Sequence, residues 1–524
     1  MIRTRIRIAL AVLGATALLA AGCTGDRSGD DPPEPADAGN DAGNVDWRPC
    51  PELLDELLGD IAPSNLIDQL AEQVSYECGT VAVPQDWDAP DSPETFDIAL
   101  VRARSDSQRD RIGSLFINPG GPGASGVETA AFLSFGPALG GLPDQVTDRF
   151  DLVGFDPRGV GRSSPVECFS DADLDDGFGA EPDPVAQAEF NEAVAESTQD
   201  AEACGAKYGD TLRLFSTRQA AHDLDALREA VGDDQLSYLG YSYGTLLGAV
   251  YAQLFPENIR ALVLDGAVDP QQDSVASSEE QAVGFERAMD NFTGWCAQTP
   301  DECPLEPDAR TAIANALDAA RSAPVPGDDG RDATAGWVFT AVIAALYSQD
   351  YWQPLAAAID QLDGGDATGV FELADSYTQR RADGTYSNLF DANAAVNCAD
   401  DNSDLTVAQV REYQGQWREE YPMFGGPVAM GMLGCVVWPG GSDPYPVGPA
   451  QGAPPILVIG TLGDPATPYE STGRLAELLG TGMVLTWEGE GHTAYPETSC
   501  INDAVGAYLL DLTVPDEGTS CPAS

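Results

Sequence analysis

Short apolar runs of strand length punctuate the chain: Val81 to Val83, Phe96 to Val101, Ser114 to Ile117, Phe150 to Phe155, Leu236 to Leu239, Ala261 to Asp265 and Ile456 to Ile459. Helical stretches separate them, one being the amphipathic Thr217 to Arg228. Such alternation predicts an α/β fold, a mostly parallel sheet with helices on both faces. After Asp269-Pro270 the pattern turns helical, as in Ala309 to Arg321 and Trp337 to Tyr347, and stays so to about Pro439. The expected organisation is a core in two parts, residues 47–270 and 440–524, around an inserted helical cap over residues 271–439.

One of the strand-like runs empties into Gly240-Tyr241-Ser242-Tyr243-Gly244, and the small, apolar Thr245 to Ala252 follows. This G-x-S-x-G spacing suits a serine on a tight strand-to-helix turn, where small flanking residues let strand and helix approach closely. A nucleophilic serine needs a base, and the chain has only 2 histidines. His222 lies within the amphipathic helix and reads as a surface or packing residue. His492 lies in a glycine-loosened loop after the strand-like Met483 to Trp487, where a base would be delivered. Asp464 follows the run Ile456 to Ile459 and precedes His492, so the order Ser242, Asp464, His492 is that of a hydrolytic triad on an α/β sheet. Developing negative charge on a carbonyl oxygen needs donors. The expected ones are the backbone N–H groups of Tyr243 and of Gly121, in the loop Asn118-Pro119-Gly120-Gly121-Pro122-Gly123. No P-loop lysine follows that loop, the only lysine being Lys207, which argues against nucleotide binding.

In combination, Asn118 to Gly123, Gly154-Phe155-Asp156-Pro157-Arg158-Gly159-Val160-Gly161-Arg162-Ser163, Gly240 to Thr245, Cys435-Val436-Val437-Trp438-Pro439, Asp464 to Pro468 and Gly491-His492-Thr493 resemble the secreted tripeptidyl aminopeptidases of actinobacteria. These are α/β-hydrolases related to the prolyl aminopeptidases, and the likeness covers roughly residues 47 to 521 in order. It implies an α/β-hydrolase fold and serine-dependent removal of short peptides, typically tripeptides, from free N-termini. Asn118 stands where prolyl aminopeptidases usually carry histidine, which fits the tripeptidyl branch better. A secreted carboxylesterase or lipase would use the same triad, and a binding protein on a hydrolase scaffold is a third reading. A substrate ammonium calls for a shielded carboxylate. The candidates are Asp400, whose Cys-x-Asp spacing resembles the family, and Glu279 or Glu280 at the cap entrance.

Arg3, Arg5 and Arg7 precede an apolar stretch, Ile8 to Ala21, too short to span a bilayer comfortably, so residues 1–22 read as a signal peptide. Gly22-Cys23 resembles a lipoprotein cleavage site with Cys23 lipidated, which implies a cell-surface protein; Ala20, where leucine is usual, leaves ordinary secretion open. Residues 23–46 have a tether's composition and are expected to be disordered. Of 11 cysteines, those beyond Cys23 are even in number, as in an oxidising compartment. A nearest-neighbour scheme pairs Cys50 with Cys78, Cys168 with Cys204, Cys296 with Cys303, Cys398 with Cys435 and Cys500 with Cys521, though spacing leaves other connectivities open. No metal or cofactor is expected. A net charge of −59 opposes nucleic-acid binding. The resemblance implies peptides with free N-termini as partners, and a monomer is expected. Acidic runs such as Asp171 to Asp176 read as solvated loops.

Overall fold

A computed structural model of the chain describes residues 45–59 and 62–524. The strands are β1 (Arg48–Pro49), β2 (Val74–Pro84), β3 (Thr95–Ser105), β4 (Gly113–Asn118), β5 (Phe150–Phe155), β6 (Leu236–Tyr241), β7 (Ile259–Asp265), β8 (Val325–Pro326), β9 (Asp332–Ala333), β10 (Ile456–Gly463), β11 (Gly482–Glu490) and β12 (Ser520–Pro522). Ten of them form one sheet in the order β1-β2-β3-β5-β4-β6-β7-β10-β11-β12, with β8 and β9 paired separately. From β5 to β12 every neighbour is parallel, while β1, β2 and β3 run antiparallel at one end. All residues of β5 and β6 are buried, because helices cover both faces and leave a strand no polar side. One apolar layer includes Phe116, Tyr238, Leu247 and Leu264, and the other Ile117, Leu239, Val263 and Ile459. This is the α/β-hydrolase fold.

The register sets Asn118 beside Gly240, and Asp265 beside both Tyr241 and Ile459. The carboxyl ends of β4, β6, β7 and β10 therefore meet at one edge, the edge at which open α/β sheets bind ligands.

Between β7 and β10 the chain builds helices Ser274–Gln298, Ala309–Ser322, Ala335–Leu346, Trp352–Asp363 and Thr368–Thr378 around a core of their own, including Phe292, Ile313, Val338, Leu355 and Val370. Two boundaries differ from the sequence expectation. The connection after β5, assigned to the core, contributes helices Asp171–Gly179 and Gln187–Tyr208, and part of it joins the cap. Asp175 pairs with Arg380 at 2.7 Å, and the Thr334 hydroxyl donates to Gly179 O at 2.7 Å. The acidic run Asp171 to Asp176 is thus helical rather than a loop, capped by Ser170 and neutralised in part by Arg380. Conversely, helix Leu389–Asp400, assigned to the cap, buries Ala392, Ala395 and Val396 in the core layer beside Phe215.

Val45, inside the expected tether, is already packed: it is buried and its N–H donates to Ala230 O at 3.2 Å. The expected signal peptide, Cys23 and residues 24–44 of the expected tether lie outside the described residues. The remaining ten cysteines form five disulfides, 50–78, 168–204, 296–303, 398–435 and 500–521, as in the nearest-neighbour scheme. They mark a protein of an oxidising, extracytoplasmic compartment. Among the described residues no helix is long and apolar enough to cross a membrane. His222 stacks on Trp87 and meets Phe255 edge-on, the packing role expected of it.

Candidate active site

Ser242 joins β6 to helix Tyr243–Leu254 with φ 54° and ψ −124°, a region that side chains other than glycine's rarely occupy. Holding it there costs about 1–3 kcal/mol, which the surroundings must supply. They do so at close range. The Ser242 N–H donates to Asp265 O at 2.8 Å, and the Thr245 hydroxyl donates to Ser242 O at 2.7 Å. A Cβ on Gly240 would stand 2.4 Å from Gly244 O, so the flanking glycines are fixed by lack of space.

The glycine loop after β4 lies against this turn. Asn118 Oδ1 accepts the Gly120 N–H at 3.0 Å and so bends the chain as it leaves the strand. Gly120, at φ 94°, abuts the serine: a Cβ there would lie 2.9 Å from Ser242 Cβ and 3.0 Å from Tyr243 N. From the other side Asn393 donates to Pro122 O at 3.0 Å. Among the described residues neither the Gly121 nor the Tyr243 N–H donates to any group. The Tyr243 N–H thus stands unspent next to the serine, and the Gly121 N–H one residue beyond the Gly120 that abuts it.

His492 follows β11. Its Nδ1 lies 2.9 Å from both oxygens of Asp464, which is fully buried, and 3.3 Å from the Thr467 hydroxyl. Asp464 in turn accepts the N–H groups of Ala466, Thr467 and Thr493 and the Thr467 hydroxyl, so its orientation is fixed by the loop that carries it. Burial lowers the imidazole pKa; the charge and hydrogen bond of Asp464, with a contribution from Asp265, more than reverse this, and the ring titrates above its ordinary value. Among the described residues its buried Nε2 has no hydrogen-bond partner, Ser242 Oγ included. The ring edge nevertheless reaches the serine's neighbourhood. Cε1 lies 3.2 Å from where a Cβ on Gly266 would stand, and the preceding residue, Asp265, holds Ser242 N.

The cap grips the same loop. His492 N–H donates to Tyr347 O at 2.8 Å, Ser348 pairs with Gly491 as an antiparallel bridge, and the Tyr347 ring stands edge-on to the imidazole at 5.3 Å. Thr467, Gly120, Asp265 and Tyr347 were not singled out in the sequence. Thr467 lies within the Asp464 loop that carries part of the family resemblance, whereas the bonding of Tyr347 is through a main-chain carbonyl, which any residue possesses.

The three acids considered for a substrate ammonium have different fates. Glu280 is engaged by Arg474 at 2.5 Å, so its charge is already compensated. Its partner lies far along the chain, beyond the reach of local sequence reading. Glu279 accepts the Tyr421 hydroxyl at 3.0 Å and has no cation beside it among the described residues. Asp400 accepts the Thr217 N–H at 2.8 Å and the Thr217 hydroxyl at 2.5 Å, and that hydroxyl also meets the Tyr243 phenol at 2.6 Å. Burial raises the Asp400 pKa to about 7 against these bonds. Among the described residues no group of His, Cys, Asp and Glu is arranged to hold a metal ion.

Residues 421–521 match the family model described as TAP-like protein. The chain is 39% identical to serine protease Hip1 of Mycobacterium tuberculosis, over 85% of this chain and 87% of that one. It is 35% identical to carboxylesterase B of the same organism, over 91% and 89%. To the tripeptidyl aminopeptidase of Streptomyces lividans it is 29% identical, over 85% and 83%. With the parallel sheet and the serine turn, these likenesses identify the chain as a serine hydrolase that belongs to the TAP-like α/β-hydrolases.

Proposed function

We propose that the chain is a secreted serine exopeptidase that releases short peptides, tripeptides foremost, from unblocked N-termini, with Ser242, His492 and Asp464 as its triad. The observation that carries the triad is the buried, unpartnered Nε2 of an imidazole whose Nδ1 is held by Asp464, at the sheet edge that also carries the strained serine. His492 Nε2 takes the Ser242 proton as Oγ attacks the scissile carbonyl, and the N–H groups of Tyr243 and Gly121 receive the oxyanion. The imidazolium then gives its proton to the leaving amine. Water, deprotonated by the same ring, releases the acyl peptide. Likeness to the tripeptidyl aminopeptidase supports the peptide specificity. Asp400 and Glu279, which face no cation among the described residues, remain the acids suited to the substrate ammonium. A lipid on Cys23 would hold the enzyme, as a monomer, at the cell surface.

A tripeptidyl anilide with a free amine should be cleaved, and its N-acetylated form should not. Equal cleavage of the two would sink the exopeptidase reading. The likeness to carboxylesterase B keeps esterase activity as the second reading, favoured if simple acyl esters turn over while both anilides resist.

The base must be neutral to act, and its pKa lies above the ordinary value of about 6.5. The protonated, inactive form is therefore favoured to a higher pH than for a free imidazole. The acid limb of the kcat/KM profile should accordingly fall above about pH 6.5. A limb at or below pH 6 would contradict this assignment.

A further inference from the structure

We propose that Asp265 is a positioning residue of the hydrolytic reaction, fixing nucleophile and base to a single point of the sheet. It is the last residue of β7, between the strand that carries Ser242 and the strand that leads to Asp464. Its two polar ends serve different partners. The main-chain carbonyl accepts Ser242 N–H at 2.8 Å. The carboxylate accepts Ala494 N–H at 3.0 and 3.1 Å and Tyr495 N–H at 2.7 Å, just beyond His492. With no exposure to solvent, this carboxylate is an expensive group to bury. The triad has no direct use for it. Among the described residues the carboxylate's only hydrogen bonds fix the loop that carries the imidazole, while Asp464 fixes the ring itself.

The groups that face the Asp265 carboxylate are the imidazole of His492, the carboxylate of Asp464 and the phenol of Tyr241, whose pKa its charge helps to raise. Tyr495 contributes its N–H, and Glu497 lies close enough to act on the same Tyr241. Burial raises the Asp265 pKa to about 7, against the pull of the Tyr495 and Ala494 N–H groups and the imidazolium. Ionised Asp265 stabilises the charged imidazole, and protonated Asp265 does not.

The inference rests on the triad reading, and the test separates the two. In Asp265→Asn an amide oxygen in the Oδ2 place keeps both N–H groups, but the amide nitrogen then stands where Oδ1 met the Ala494 N–H at 3.1 Å, and the charge is gone. We expect kcat to fall about a hundredfold with KM little changed, as for a misplaced catalytic group. With only two histidines in the chain, imidazole NMR can follow His492 directly, His222→Asn assigning the other signal. The His492 pKa should drop by at least about half a unit in Asp265→Asn, moving the acid limb of kcat/KM the same way. A purely structural role would lower the melting temperature and leave both unmoved, which overturns the proposal. If the variant does not fold, Asp265→Glu decides: it keeps the charge but displaces the carboxylate by one methylene. Its kcat should fall at least about tenfold with KM little changed, whereas a wild-type kcat overturns the proposal. Failure of a fluorophosphonate to label wild-type Ser242 would bring down the triad reading and this inference with it. Labelling together with an unmoved His492 pKa removes Asp265 alone.

Discussion

Ser242→Ala should leave a folded protein that hydrolyses no peptide or ester above background and takes up no fluorophosphonate. The expected loss in kcat is roughly a million-fold, the scale set by removal of a triad nucleophile. Residual rate would come from the donors at Tyr243 and Gly121, which the substitution leaves in place. A companion variant separates chemistry from architecture. The serine's φ of 54° strains any side chain, and glycine adopts it freely. Ser242→Gly should be equally inactive yet more stable than wild type by about 1 kcal/mol, the released strain less glycine's extra chain entropy. Denaturant midpoints of the wild type, alanine and glycine forms check this. A glycine form less stable than the alanine form would show that the turn is not strained as its geometry indicates.

Asp464→Asn should cost about four orders of magnitude in kcat while the fold persists. The reason lies in the donors around the carboxylate. Oδ1 accepts two backbone N–H groups, from Ala466 and Thr467, so an amide nitrogen there would meet two donors. The nitrogen must therefore take the Oδ2 place, beside His492 Nδ1 and the Thr467 hydroxyl, which can rotate to accept. Nδ1 stands 2.9 Å from both places. Oδ1 already accepts two N–H groups and Oδ2 only the longer Thr493 N–H at 3.3 Å, so Nδ1 accepts from the amide and the ring proton moves to Nε2. The atom that should receive the serine's proton is then already protonated. Steady-state kinetics with a crystal structure of the variant would test this; near-wild-type kcat with the amide in place would contradict it.

The strands read most fully in the sequence are those buried on both faces, where an apolar run persists without alternation. Of the partly exposed β2, β3 and β11 only the segments Val81 to Val83, Phe96 to Val101 and Met483 to Trp487 were read. β5 spans the residues its run predicted, and β4, β6, β7 and β10 differ at their ends. β1 and β12 have too few residues to show a pattern, and each lies beside a disulfide, 50–78 or 500–521, that tethers it to the rest. At the site, Ser242, Asp464 and His492 stood out because each follows a strand, and the structure brings them to one edge. Contacts made through long-range pairing had no such signal. Nothing near Glu280 foretells Arg474, and nothing near His492 foretells a bond to the carbonyl of Tyr347.

That last bond limits how this enzyme can be re-engineered. Specificity in such scaffolds invites transplantation of the insert from one relative onto the core of another. Here the donor segment would have to bring its own counterpart of residues 347 and 348, in register with Gly491 and His492. A chimera lacking it would display a new entrance above a proton acceptor left without its backbone support.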